Sequence, residues 1–287
     1  MNNKVYQEIT DKIIEQLRNG TVPWQQPWFG SNEAISYATG KPYSLLNQMI
    51  LGGESAEYVT WHQIQMLKGR IHKGSKGRKV YFWNTIDKVE ETEDGKRIIK
   101  KIPYLRTYTV FRVDDCDFIT KRWPPKTNNS TISPIKQAED VANKYLQREQ
   151  IELKHTNPNE AYYSISHDYI NIPSINHFRR AEDYASVLYH ECCHSSGHPQ
   201  RLGRLRINDH SAPFGSENYS KEELIAEMGS AFALRRLGID TTNTQQRNAA
   251  YIQSWIRELK NDISMVVIAA GRAEKAVHYI FGENSNE

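Results

Sequence analysis

The sequence predicts an α+β protein in two parts: a small N-terminal α+β domain joined by a linker to a mainly helical C-terminal domain. Three observations carry this. The apolar period changes from helical to strand-like around residue 78 and returns to helical after the linker. A stretch rich in proline and small polar residues, "KRWPPKTNNSTISPIKQAED" at 121–140, separates two otherwise ordinary segments. The charge is also uneven: residues 1–126 hold 20 Lys and Arg against 14 Asp and Glu, whereas 127–287 hold 17 against 20. Five of the six tryptophans (Trp24, Trp28, Trp61, Trp83, Trp123) lie in the basic part. The expected boundaries are 1–126 for the first domain, 127–135 for the linker and 136–287 for the second domain. A chain of 287 residues can bury a core in each.

The first domain opens with a helix. Val5, Ile9, Ile13, Ile14 and Leu17 share one face, and Gly20 stops it. "TGKPYS" at 39–44 is turn chemistry ahead of a second helix, SLLNQMILGG. A third is expected over 60–69, with Thr60 as its N-cap. Strands follow at 78–86, 96–104 and 105–113, rich in β-branched and aromatic residues, with Glu93-Asp94-Gly95 as a hairpin turn.

The second domain is expected to begin with a helix at 135–150. Two short strands should flank Ser166-His167-Asp168. Helices are then expected at Ala181–Ser195 (ended by Gly197), Lys221–Leu237 (capped by Gly238), 243–261 and 262–281.

No run of about 18 apolar residues occurs, so no membrane partner is expected. The N-terminus lacks the apolar core of a secretory signal. Cys116, Cys192 and Cys193 do not make a disulfide framework, and reduced thiols in a cytoplasmic protein are the simplest reading.

The chemistry concentrates in "SVLYHECCHSSGHPQRLGR", residues 186–204, where His190-Glu191-Cys192-Cys193-His194 forms an HExxH pattern. Residues four apart on a helix lie on one face, so His190 and His194 can aim ring nitrogens at one ion. Glu191 beside them is the candidate general base for a water at that ion. Zn2+ is the expected metal, with another divalent ion as the alternative.

A third ligand is needed. In the HExxHxxGxxH pattern it would fall at Gln200, so His198 is two positions early and reads as a loop residue. The other source is a glutamate on the next helix, within "SKEELIAEMGSAFAL" at 220–234. Glu223 is favoured as the ligand. Glu227, four residues on, would then orient a ligand histidine through its other ring nitrogen. Ser220-x-x-Glu223 also reads as a capping box, which would leave Glu227 as the ligand. Ala226, Gly229, Ser230 and Ala231 are small enough to let this helix approach the first closely. Cys192 and Cys193 point roughly 160° and 100° away from the direction between the two histidines, at ~100° per residue, and read as packing residues. Tyr219, His210 and His198 are candidates to hold a polarised carbonyl.

In the first domain, "WHQIQMLKGRIHKGSKGRKVYFW" at 61–83 combines Trp61 with Lys68, Arg70, Lys73, Lys76, Arg78 and Lys79. Cations track phosphates and rings stack on unpaired bases, so single-stranded DNA is a candidate partner. A solvated basic turn beside a buried strand explains the same composition.

The two parts together resemble the ArdC-type antirestriction proteins. The resemblance rests on "GTVPWQQPW", "TGKPYSLLN", the 60–83 segment, "HDYINIPSINHF", "YHECCHSSGHPQRLGR", "FGSENYSKEELIAEMGSAF" and "AAYIQSWIRELKND". Two departures occur: Cys192-Cys193 fill the free positions of HExxH, and Ser195-Ser196-Gly197 stands where a Trp commonly precedes Thr-Gly. The resemblance implies a nucleic-acid-binding N-terminal domain and a zincin-like metallopeptidase domain. It implies a protein of a mobile element, such as a plasmid moved by conjugation, that binds single-stranded DNA, counters host restriction and holds a divalent metal. The competing expectation is a zinc-dependent metallopeptidase acting on a protein target, with the N-terminal domain directing it.

Overall fold

A computed structural model describes residues 3–25, 33–52, 56–91, 97–123, 133–205, 217–239 and 249–283; for 84–91, 97–104 and 217–219 only the backbone is described. In chain order the elements are α1 (Asn3–Arg18), a 3-10 turn (Pro23–Gln25), β1 (Ile35–Ser36), α2 (Leu45–Ile50), β2 (Glu57–Thr60) and α3 (Trp61–Met66). Next come β3 (Arg70–Ile71), β4 (Arg78–Glu91), β5 (Arg97–Arg112), β6 (Cys116–Asp117), α4 (Pro134–Glu149), β7 (Glu152–Lys154), β8 (Tyr162–Ser164) and β9 (Tyr169–Asn171). The chain ends with α5 (Ala181–Ser196), α6 (Glu217–Arg236), α7 (Ala249–Asn261) and α8 (Met265–Ile280). No described helix is long and apolar enough to cross a membrane.

These elements form two compact units that cut across the boundaries expected at 1–126, 127–135 and 136–287. One comprises Met1–Asn32, Ser44–Gly53 and Pro125–Glu287; the other comprises Glu33–Tyr43 and Glu54–Pro124. The helices α1 and α2 thus pack with the C-terminal part. The apolar stripe of α1, with Ile9, Ile13 and Leu17 at most 1% exposed, needs a partner face, and α7 and α8 provide it. Thr10 donates to the carbonyl of Ile263 at 2.7 Å on the same side.

In the larger unit α5 packs on α6, and both pack on α8, whose alanines Ala269, Ala270, Ala273 and Ala276 are buried. The approach of α5 to α6 is close because Gly229 has no side chain: a Cβ there would lie 2.5 Å from the Cys193 Sγ. Ser230 uses the proximity, its hydroxyl donating to the Ser186 carbonyl at 2.8 Å. A three-stranded sheet, β7-β9-β8, lies against the flank of α5.

In the smaller unit the sheet order is β1-β2-β5-β4. Thr60 caps α3 as expected, its hydroxyl accepting from the Gln63 backbone N–H while the Gln63 side chain accepts from Thr60 N–H. Val59, Ile64, Val113, Cys116 and Ile119 form the core beneath that helix. Buried Glu57 accepts from the backbone N–H groups of Arg122 (2.9 Å) and Trp123 (2.7 Å), fixing the end of the unit.

Three local expectations need correction. The strands expected at 96–104 and 105–113 are one strand, β5, which pairs with β4 from Glu91↔Arg97 to Arg78↔Val110. Pro103 does not break it, because β5 has a third-strand neighbour only at Val110–Arg112, where β2 pairs. The helix α6 begins at Glu217, so Ser220 sits inside it and does not cap it. The sequence reading also missed the short strands β1, β2, β3, β6 and β7, none of which shows an alternating pattern. The turn at 93–95, most of the linker, and His210 lie outside the described residues.

Candidate metal centre and nucleic-acid interface

The metal-binding candidates come together where α5 and α6 face each other. His190 and His194 are one turn apart on α5, with their Nε2 atoms 3.1 Å apart. From α6, the Glu223 carboxylate reaches both, with Oε2 at 3.5 Å from His190 Nε2 and Oε1 at 3.4 Å from His194 Nε2. Donor atoms about 2.0–2.2 Å from a tetrahedral ion stand ~3.3–3.5 Å from one another, and these separations of 3.1–3.5 Å, with a different Glu223 oxygen facing each histidine, lie close to that spacing. Two imidazoles and one carboxylate suit a divalent ion. Among the described residues this is the one such cluster. Glu191, on the same turn of α5, is 6% exposed.

The charges around the cluster reinforce one another. Burial alone would push His194 toward its neutral form, but the Glu222 and Glu223 carboxylates outweigh it and raise its pKa to about 10. Burial would likewise raise Glu223, yet His190 and His194 hold it well below the usual carboxylate range.

Glu222 is a residue the sequence reading passed over. Its Oε1 lies 3.6 Å from His194 Nδ1, the nitrogen that faces away from the cluster. Arg204 anchors it through two contacts, Nη2 to Oε1 at 2.9 Å and Nε to Oε2 at 3.3 Å. The same guanidinium donates to the Cys193 carbonyl (2.7 Å) and to Ser196 Oγ (3.2 Å), tying the carboxylate to the last turn of α5. A second arginine, Arg201, braces that turn by donating to the Ser195 carbonyl at 2.7 Å while pairing with Asp168.

Glu227 is held by two donors. Its Oε2 accepts from Tyr251 OH at 2.8 Å and from Gln25 Nε2 at 3.1 Å, and burial raises its pKa. It lies outside the triangle, within electrostatic range of His190. His198 also lies outside the triangle, and its Nδ1 accepts from the Gln200 backbone N–H. Cys192 and Cys193 are fully buried, and burial pushes the Cys193 thiol up to about 12, which suits packing rather than metal binding. The side chain of Tyr219 lies outside the description.

In the smaller unit Lys68, Arg70, Lys73, Lys76 and Lys79 are exposed, as is Trp61, at 51%. Arg78 differs: it donates to Tyr58 OH at 3.0 Å and lies over that ring, so it belongs to the sheet's packing. The aromatic run splits, with Tyr81 buried and Phe82 and Trp83 each 42% exposed. Tyr108, 39% exposed, meets Phe82 from β5 without any signal in the basic segment.

Comparison with known proteins fits this arrangement. Residues 3–111 match the N-terminal domain of the anti-restriction factor ArdC, and residues 140–272 match the zincin-like metallopeptidase family. Crystal structures of the antirestriction protein ArdC from plasmid R388 superpose over nearly the whole chain. The metal-free form has TM-score 0.70 and 31% identity, covering 96% of both chains; the Mn(II)-bound form has 0.71 and 30%, covering 98% of both. The chain belongs to the ArdC antirestriction family. Two Escherichia coli proteins named DNA primase TraC are 30% and 31% identical over 96% of this chain, which spans only 27% and 20% of their length. An uncharacterised Sinorhizobium fredii protein, y4eC, is 28% identical over 98% of this chain and 93% of its own. The two matches thus place an ArdC N-terminal domain and a zincin-like part in one chain.

Proposed function

We propose that this ArdC-family protein binds single-stranded DNA through the unit formed by 33–43 and 54–124, and protects incoming DNA from restriction. The carrying observation is that Lys68, Arg70, Lys73, Lys76 and Lys79 are exposed in the same compact unit as exposed Trp61, Phe82 and Trp83. Cations neutralise phosphates and rings offer faces to unpaired bases. The test is fluorescence anisotropy with a labelled single strand at low salt. Saturable binding that weakens steeply with salt is expected, and no rise in anisotropy would overturn the reading.

The metal part of the proposal assigns His190, His194 and Glu223 as ligands of a divalent ion, with Zn2+ favoured by the two imidazoles. A bound ion supplies Lewis acidity at the open side of the triangle. Glu191 accepts a proton from an attacking water and can return it to a leaving amine. Glu222, backed by Arg204, fixes the ring orientation of His194. Glu227, clamped by Tyr251 and Gln25, keeps a buried carboxylate near His190.

A second reading, a metallopeptidase acting on a protein target, is favoured by one observation: three protein donors accompanied by a buried acid, whereas structural zinc sites close with four protein ligands. Purified protein challenged with a casein substrate at added Zn2+ or Mn2+, with Glu191→Gln as the control, tests it. Hydrolysis by the parent chain that the variant loses is the expected result on this reading.

A further inference from the structure

The register of β4 against β5 sorts the exposed rings of the smaller unit onto two faces. Val80↔Tyr108 and Phe82↔Arg106 are directly opposed pairs, so Phe82, Arg106 and Tyr108 share one face, while Trp83 lies on the other. On that first face a file of rings leads from core to solvent. Tyr58, 1% exposed, meets Tyr43 edge-on with centroids 6.2 Å apart. Tyr43, 8% exposed, meets Phe82 at 6.1 Å, and Phe82 meets Tyr108 at 5.6 Å in a T-shape. The two outer rings remain 42% and 39% exposed. Their positions are set by the buried rings behind them, so little ordering entropy remains to be lost when a flat partner stacks there.

The surroundings decide the partner. The stretches 78–83 and 105–110 contain no Asp or Glu; on the Phe82 face Arg78 is held against Tyr58, and Lys79 lies on the opposite face. Arg106 is exposed directly across from Phe82. An exposed aromatic pair beside one exposed arginine, with no acid in either strand segment, complements a polyanion that presents π-faces. A duplex hides its base faces within the stack; an unpaired strand does not.

We propose that Phe82 and Tyr108 are the base-stacking step of the interface, with Arg106 at the neighbouring phosphate, and that this face makes the protein prefer strands with unpaired bases. This inference rests on the single-stranded DNA reading above but adds a separate claim: the bases themselves are bound, through residues outside the basic 68–79 segment.

The experiment compares two labelled strands of equal length and charge, an oligo-dT and an otherwise identical strand of abasic sites, by anisotropy with the full chain. The parent protein binds oligo-dT more tightly. The double variant Phe82→Ala/Tyr108→Ala loses roughly ten-fold or more on oligo-dT and is unchanged on the abasic strand. Phe82→Leu/Tyr108→Leu, which keeps apolar cover over Tyr43 but removes the rings, gives the same loss and guards against a folding artefact. Equal affinity of the parent for both strands, or leucine variants that retain the preference for oligo-dT, overturns the inference while leaving DNA binding in place. A parent chain that binds neither strand overturns the DNA-binding reading as well.

Discussion

The Nδ1 of His194 faces the Oε1 of Glu222 at 3.6 Å, on the side of the ring opposite the His190–Glu223 cluster. A carboxylate in that position fixes the ring's tautomer and orientation and raises its basicity as a ligand. Glu222→Gln therefore lowers affinity for Zn2+ or Mn2+ by about 10–100-fold, measured by isothermal titration calorimetry. Arg204→Met, which frees the carboxylate to swing away, produces a loss in the same direction. An unchanged affinity in both variants would contradict the orienting role.

The metal affinity depends on pH with a definite sign. The His194 pKa is raised to about 10, so at neutral pH its ring carries a proton that an ion must displace. Apparent affinity therefore climbs with pH, by about ten-fold per unit for one proton released, and levels off as pH approaches 10. The stability of the chelator-treated protein runs the other way. The contribution of charged His194 is fully present below the ordinary histidine pKa of about 6.5 and is lost as pH rises through about 10. Calorimetry at a series of pH values checks the first statement and thermal melts in chelator check the second.

Packing of α5 on α6 is the mechanical basis of the triangle, and Gly229 is its tightest point. Gly229→Ala sets a methyl 2.5 Å from the Cys193 Sγ. The expected cost is about 1–3 kcal/mol of stability in chemical denaturation, together with weaker metal binding as the helices part. Cys193→Ala removes the obstructing sulfur, so the double variant should be more stable than the sum of the single effects. Strict additivity would show that the clash is relieved elsewhere.

Glu191→Gln keeps the carboxylate's shape and removes its basicity. It should bind metal like the parent chain and abolish any peptide hydrolysis. Protection of a plasmid entering a restricting host, scored by transfer frequency, then separates the two readings. Full protection by the variant makes hydrolysis dispensable; loss of protection makes Glu191 chemistry part of the antirestriction function.

Much of this arrangement was legible because its signals are local. HExxH on a helix, Thr60 as an N-cap, and the small face of α6 each report their own structure within a few positions. Gly229 against Cys193 and Ser230 against Ser186 realise the close approach expected from that face. What stayed hidden is non-local. Gln25 and Glu227 are 202 residues apart in sequence, and nothing near either announces their hydrogen bond. The packing of α1 and α2 with the C-terminal part is hidden for the same reason: an amphipathic stripe shows that a partner exists without saying which. Glu222 was overshadowed by its neighbour, since adjacent acids look alike until the helix fixes which faces the histidines. That 96–104 and 105–113 form one strand was missed because the length of β5 is set by its pairing with β4, which no residue near their junction reports.

Salt dependence of single-strand binding tests the central claim most directly. On single strands each phosphate contact contributes about 0.7 to the slope of log affinity against log salt concentration. Replacing Lys73, Lys76 and Lys79 together by alanine should weaken binding at low salt and flatten that slope by about 2, with the thermal melt unchanged. A folded triple variant with the parent's affinity and slope would contradict the account and remove the exposed basic row from the DNA interface.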